Sequence, residues 1–147
     1  MIVACDIGGV VTNLATHQPV DGALAGIAEL SRSHCVIFVS KCGGLYKAES
    51  TAWLAKHGLD AVPTYFCDSN GDKARIASEH GVGVMIDDHI QVLKAFPEEI
   101  TKVWFCNEPQ KVAGTQKYQP ELFATLRLAT KWSHILDIVQ DLHTGLG

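Results

Sequence analysis

The sequence predicts an α/β fold, a three-layer Rossmann-like sandwich whose five-stranded, mostly parallel sheet carries helices on both faces. Three observations lead there. Short apolar runs recur along the chain and alternate with stretches of helical periodicity, as strand–helix–strand units require. The first run, Ile2-Val3-Ala4-Cys5, is apolar throughout rather than alternating, the pattern of a strand buried on both faces. Hydrophobic residues make up 47% of the 147 positions and charged residues only 19%, below the usual ~25%, so much of the chain is buried.

Taken in order, Ile2 to Cys5 is the first strand, ended by Asp6, and Gly8-Gly9 lets the chain turn sharply beyond it. The polar loop 14–19 ends at Pro19, and a helix is expected over 20–31 with Leu24, Ile27, Ala28 and Leu30 on its apolar face. A second strand covers 34–39 and stops at Ser40. The loop Lys41-Cys42-Gly43-Gly44 leads to a helix over 45–57, closed by Gly58, with Trp53 and Leu54 towards the sheet. Residues 61–67 form a weaker third strand, and Pro63 argues for an edge position.

Asp68-Ser69-Asn70-Gly71 is a loop signal, followed by a helix over 72–80 that Gly81 terminates. The fourth strand, 82–86, delivers Asp87 and Asp88, and a helix over 89–96 is broken by Pro97. The fifth strand spans 101–106. Pro109 and Gly114 mark the segment 107–118 as turn-rich, and a final amphipathic helix is expected over 120–142. Its Trp132, Ile135, Leu136 and Val139 pack either on the core or on a partner subunit. Every connection is short, so residues 1–147 read as one domain without a cap.

Twelve basic and sixteen acidic residues give a formal charge of −4, with no local Lys/Arg cluster, which argues against nucleic acid as a partner. The five cysteines form no C-x-x-C pair and read as buried free thiols in a reducing compartment rather than a zinc site. Asp6 interrupts the N-terminal apolar run, so neither a signal peptide nor a membrane span is expected, and a cytoplasmic location is the default. Gly8-Gly9 lacks the G-x-G-x-x-G spacing, and no Walker A loop precedes Lys73.

Parallel strands share the direction of their carboxyl ends. If strands one, two and four are neighbours, Asp6, Ser40 and Asp87-Asp88 converge on one edge. Carboxylates brought together there disfavour one another's charge, and Mg²⁺, which takes hard oxygen ligands, relieves the conflict. Lys73, at the start of a helix, adds a compact positive charge to the same cluster.

These residues carry a resemblance over nearly the whole chain to the haloacid dehalogenase-like superfamily. Asp6 in DIGGV matches its nucleophilic aspartate, Ser40 in IFVSKCGG its phosphoryl-binding Ser/Thr, Lys73 in GDKARIA its lysine, and Asp87-Asp88 in GVMIDDH its Mg²⁺-binding acids. The resemblance implies a Mg²⁺-dependent phosphohydrolase acting through an aspartyl-phosphate on a phosphorylated small molecule. Asp6, Ser40 and Lys73 would be catalytic, and Asp6, Asp87, Asp88 and the Gly8 backbone carbonyl would hold the metal.

The chain departs from the family at Gly8, where family phosphatases usually carry an acid that protonates the leaving group. His17 or Asp21 could substitute for it. The expected activity is therefore low or specialised, and the alternative is an impaired relative serving as a phosphate- or metal-binding or assembly module. Without a cap, loops 12–19 and 41–47 and the turn 107–118 would rim the site, with Lys41, Lys47, Lys111 and Lys117 as phosphate-attracting charges. A homo-oligomer that covers the site is left open.

Overall fold

The apolar runs form one six-stranded parallel sheet in the order β3-β2-β1-β4-β5-β6. A computed structural model describes residues 1–145. In chain order the elements are β1 (Ile2–Cys5), α1 (Ala23–Ser33), β2 (Cys35–Lys41), α2 (Leu45–Lys56), β3 (Thr64–Cys67), α3 (Asn70–Glu79) and β4 (Val84–Asp87). They continue with α4 (Ile90–Leu93), β5 (Thr101–Phe105), α5 (Pro109–Tyr118), α6 (Pro120–Ala124), β6 (Leu126–Ala129) and α7 (Trp132–Thr144).

The two-residue period of a strand divides the core into two layers. Val3, Cys5, Val36, Phe38, Val84 and Ile86 face α1, α2 and α7. Ala4, Ile37, Val39, Met85 and Trp104 face the other way, onto Ala74 and Ala77 of α3 and onto Val92 and Leu93 of α4. The result is an α/β sandwich with helices on both faces of a parallel sheet. Among the described residues no helix is long and apolar enough to cross a membrane.

Two parts of the sequence reading need correction. The sheet has six strands, not five, because Leu126–Ala129 pairs with β5 in the register Lys102↔Leu126 to Phe105↔Ala129. The expected helix over 120–142 is therefore a short helix, a strand and then α7. Four residues give a period of two only one repeat, too little to stand out from flanking helical patterns; backbone pairing along the exposed edge of β5 decided the matter.

The second correction is the segment 107–118, which is the helix α5 rather than a turn. Pro109 opens the helix, where its missing N–H costs no hydrogen bond. Gly114 is tolerated mid-helix beside Thr115, whose Oγ1 donates to the Lys111 carbonyl at 2.9 Å.

β3 lies at the sheet edge. Pro63 precedes the strand and has no N–H to give, but its carbonyl accepts from the Phe38 N–H at 2.9 Å. α7 packs on its own molecule. A Cβ added to Gly26 of α1 would lie 2.4 Å from Trp132 Cε3, so only glycine admits that ring. The indole Nε1 of Trp132 donates to the Val10 carbonyl at 2.9 Å, tying the end of the chain to the loop after β1.

Candidate active site

The strand order reverses direction between β1 and β4, and in open parallel sheets the crevice at such a switch lies outside the carboxyl ends of the strands. Asp6 follows β1 and Asp87 ends β4. Cys5 is in register with Ile86, and the Asp6 N–H donates to the Ile86 carbonyl at 2.9 Å, so the two acids are neighbours across the sheet. By the strand period they continue the face of Ala4 and Met85, which is the face that α3 covers. Ser69 caps α3 by accepting from the Asp72 N–H at 3.0 Å. That cap fixes the first turn, from which Lys73 reaches both acids.

The Lys73 ammonium lies 2.7 Å from Asp87 Oδ2 and 3.1 Å from Asp6 Oδ1, with only 1% of the residue exposed. The other oxygen of Asp87 accepts from the His89 N–H at 2.9 Å. Trp104 Nε1 donates to the Asp88 backbone carbonyl at 3.1 Å and holds that residue at the site. One oxygen from each of Asp6, Asp87 and Asp88 lies within 4.8 Å of the others. Burial, and next the charge of Asp87, push the Asp6 carboxyl up to about 7 although the Lys73 ammonium opposes the rise. Burial also raises Asp88, against the opposing pull of His89. Burial pulls Lys73 down, but the carboxylates of Asp6 and Asp87 outweigh it and hold the ammonium above its ordinary value.

The donor set suits a hard divalent cation. Three carboxylates face one ammonium, and Asp88 Oδ1 is buried with no hydrogen-bond partner. A 4.8 Å span is one that small side-chain rotations bring to an octahedral ion with bonds of about 2.1 Å.

The two glycines of DIGGV differ. Gly9 has φ +81°, and a Cβ there would fall 2.1 Å from Asp88 Oδ2, so this position admits the acid only because it has no side chain. Gly9→Ala is expected to cost about 1–3 kcal/mol in urea unfolding, since Asp88 must move. Gly8 has no such backbone demand. A Cβ there would meet only the tip of the Leu14 side chain, at 3.1 Å.

A cleft of about 620 Å³ opens at Asp6 and is lined by Asp6, Gly8, Ser40 and Lys73. Lys41 and Lys111 also line it. The other residues singled out from the sequence lie elsewhere. Lys47 sits 5.5 Å from the centre of the Phe66 ring and Lys117 5.1 Å from that of Tyr118. His17 lines a neighbouring cleft, and Asp21 a third that it shares with Asp88 and Lys111.

Asn70 and His89 line the acid cleft and were not singled out. Asn70 stands three residues before Lys73, a spacing that shares a helix face, and its Oδ1 is buried without a partner. His89 follows directly on Asp88, with Nε2 at 3.9 Å from Asp88 Oδ2.

No protein-family model matches the chain, and no curated protein matches it. Among solved structures it is similar to a de novo designed Rossmann 3x3 fold protein determined by solution NMR. The two are 12% identical, the match covers 95% of this chain and 92% of the design, and the TM-score is 0.50. At that identity the likeness concerns the fold alone, and it agrees with a Rossmann-like α/β architecture.

Proposed function

We propose that the protein is a Mg²⁺-dependent phosphohydrolase of the haloacid dehalogenase-like kind, acting on a phosphomonoester through an aspartyl-phosphate at Asp6. The observation that carries this reading is the buried Lys73 ammonium, 3.1 Å from Asp6 and 2.7 Å from Asp87, beside the unpartnered oxygen of Asp88. Asp6, Asp87, Asp88 and the Gly8 carbonyl would hold Mg²⁺, which when bound supplies positive charge against the carboxylates and the phosphoryl oxygens.

The chain's own groups do the rest. Lys73 engages one oxygen of Asp6 and leaves the other as nucleophile. That oxygen attacks phosphorus, the ester P–O bond breaks, and the leaving oxygen departs with the electron pair. Ser40 and Lys73 donate hydrogen bonds to the phosphoryl oxygens as charge builds on them. Water then attacks the aspartyl-phosphate, releasing inorganic phosphate and the free carboxylate of Asp6.

The test is phosphate release from phenyl phosphate with Mg²⁺ and again after chelation. Turnover that is indifferent to chelation rejects the reading. A second reading, a phosphate- or metal-binding or assembly module without useful turnover, draws on Gly8 and on Leu14 beside it, because no acid stands at that position. Mg²⁺ binding without any phosphate release would select it.

Gly8→Asp separates the missing group from the shape of the pocket. The backbone at residue 8 accepts a side chain, and only the exposed tip of Leu14 must yield. Turnover of alkyl phosphates is expected to rise by about 10²-fold, the lower end of what acid–base assistance supplies. No rise in a variant that still binds Mg²⁺ would mean that the pocket, not the missing acid, limits the rate.

A further inference from the structure

A second cleft, of about 670 Å³, adjoins the acid cleft and shares Gly8, Leu14, Ser40 and Lys41 with it. Part of its lining is aromatic. Tyr46 and Trp53, both from α2, line it together with His17 and Leu14. The Trp53 ring is held in place, since its Nε1 donates to the His17 carbonyl at 2.7 Å and its centre lies 4.2 Å from that of the tilted His57 ring. Tyr46 is 71% exposed and Leu14 61% exposed, and both line this cleft. Because residue 8 has no side chain, nothing from that position divides the two clefts.

Resting on the function proposed above, we infer that this second cleft is the leaving-group subsite and that it takes the ring of a phenolic phosphate monoester. Two independent features select the same chemistry. With no acid at residue 8 to protonate the departing oxygen, a leaving group that is stable as an anion is favoured, as a phenolate is and an alkoxide is not. The space next to the phosphoryl position is walled by Tyr46, Trp53 and Leu14, which suit a flat apolar ring. Lys41 lines both clefts, at the seam where the phenolate oxygen would emerge. The reaction balances as one ester and one water giving a phenol and inorganic phosphate, the phenolate taking its proton from solvent.

The test measures binding of two non-hydrolysable probes, phenylphosphonate and methylphosphonate, to the Mg²⁺-loaded protein by calorimetry. Phenylphosphonate is expected to bind about tenfold more tightly, the effect of removing part of one ring from water. Tyr46→Ala, at a largely exposed position, is expected to weaken phenylphosphonate about fivefold and to leave methylphosphonate unchanged. Equal affinity for the two probes, or an unchanged phenylphosphonate affinity in Tyr46→Ala, overturns the subsite while leaving the Mg²⁺–phosphate site standing. Binding of neither probe overturns both. A heptapeptide carrying phosphonomethyl-phenylalanine distinguishes the source of the ring. Tighter binding than phenylphosphonate supports the subsite with phosphotyrosine in a protein as its occupant, and equal or weaker binding supports it with a free phenol ester.

Discussion

Asp6→Asn is expected to lower phosphate release by on the order of 10³-fold or more and, in the same protein, to raise the melting temperature of the metal-free state. The first effect follows from removal of the proposed nucleophile. The second follows from the electrostatics around it. Burial and the charge of Asp87 lift the Asp6 carboxyl from 3.8 to about 7. Between those values the unfolded chain has released its proton while the folded chain still holds it. The stability that this group confers is therefore complete at low pH and is lost as the pH rises through about 7.

Asparagine carries no charge and suffers no such loss, so the variant should gain on the wild type between roughly pH 4 and pH 7, by roughly 1 kcal/mol or more. In a domain of this size that corresponds to a shift of about 2–6 °C in melts with chelator present. Added Mg²⁺ should close the gap, because an ion held at the proposed site would stabilise the folded wild type by mass action. A metal-free wild type that melts above the variant at about pH 8 would contradict this account of the cluster. Phosphate release that survives the substitution would remove Asp6 from the chemistry.

Lys73→Met should be the most destabilising of the site substitutions, by about 3–5 kcal/mol in urea unfolding without metal. Methionine fills similar space, so the loss is one of charge. The ammonium is all but excluded from solvent and touches Asp87 at 2.7 Å and Asp6 at 3.1 Å, and Asp87 itself has no exposed surface. Taking away the cation leaves buried carboxylates uncompensated, which costs more than the ion pairs themselves contribute. Mg²⁺ should recover part of the loss, because a divalent cation among Asp6, Asp87 and Asp88 offsets the same charge. A loss below about 1 kcal/mol, or one that Mg²⁺ leaves untouched, would mean that Lys73 and the proposed ion do not share one electrostatic role.

Much of the site was legible because its residues stand at ends of elements, and element ends are marked by changes in composition. Asp6 closes an apolar run, Lys73 follows a loop signal, and Asp87-Asp88 end another run, so each could be assigned to one edge before any contact was known. Leu126–Ala129 and the helix Pro109–Tyr118 were not legible in that way. The strand is too short to display its period, and the helix has a proline and a glycine that read as breakers, although the proline is harmless at its first turn. The place of His17 was also beyond reach. Its loop is pinned by Trp53, 36 residues away, to a cleft beside the acids rather than over them.

By itself, the sequence determined the class of the fold and the chemical identity of the cluster. Apolar runs of strand length between amphipathic helices can bury themselves only as a covered parallel sheet, and carboxylates at strand ends point to cation chemistry. Only the tertiary structure decided that β1 lies between β2 and β4, that one ammonium spans two acids, and that an aromatic cleft adjoins them through Gly8. These are relations between segments 30 or more residues apart in most cases, such as Ile2 and Cys35 in register. They arise from strand pairing and close packing, which act on neighbours in space and leave little periodic trace along the chain.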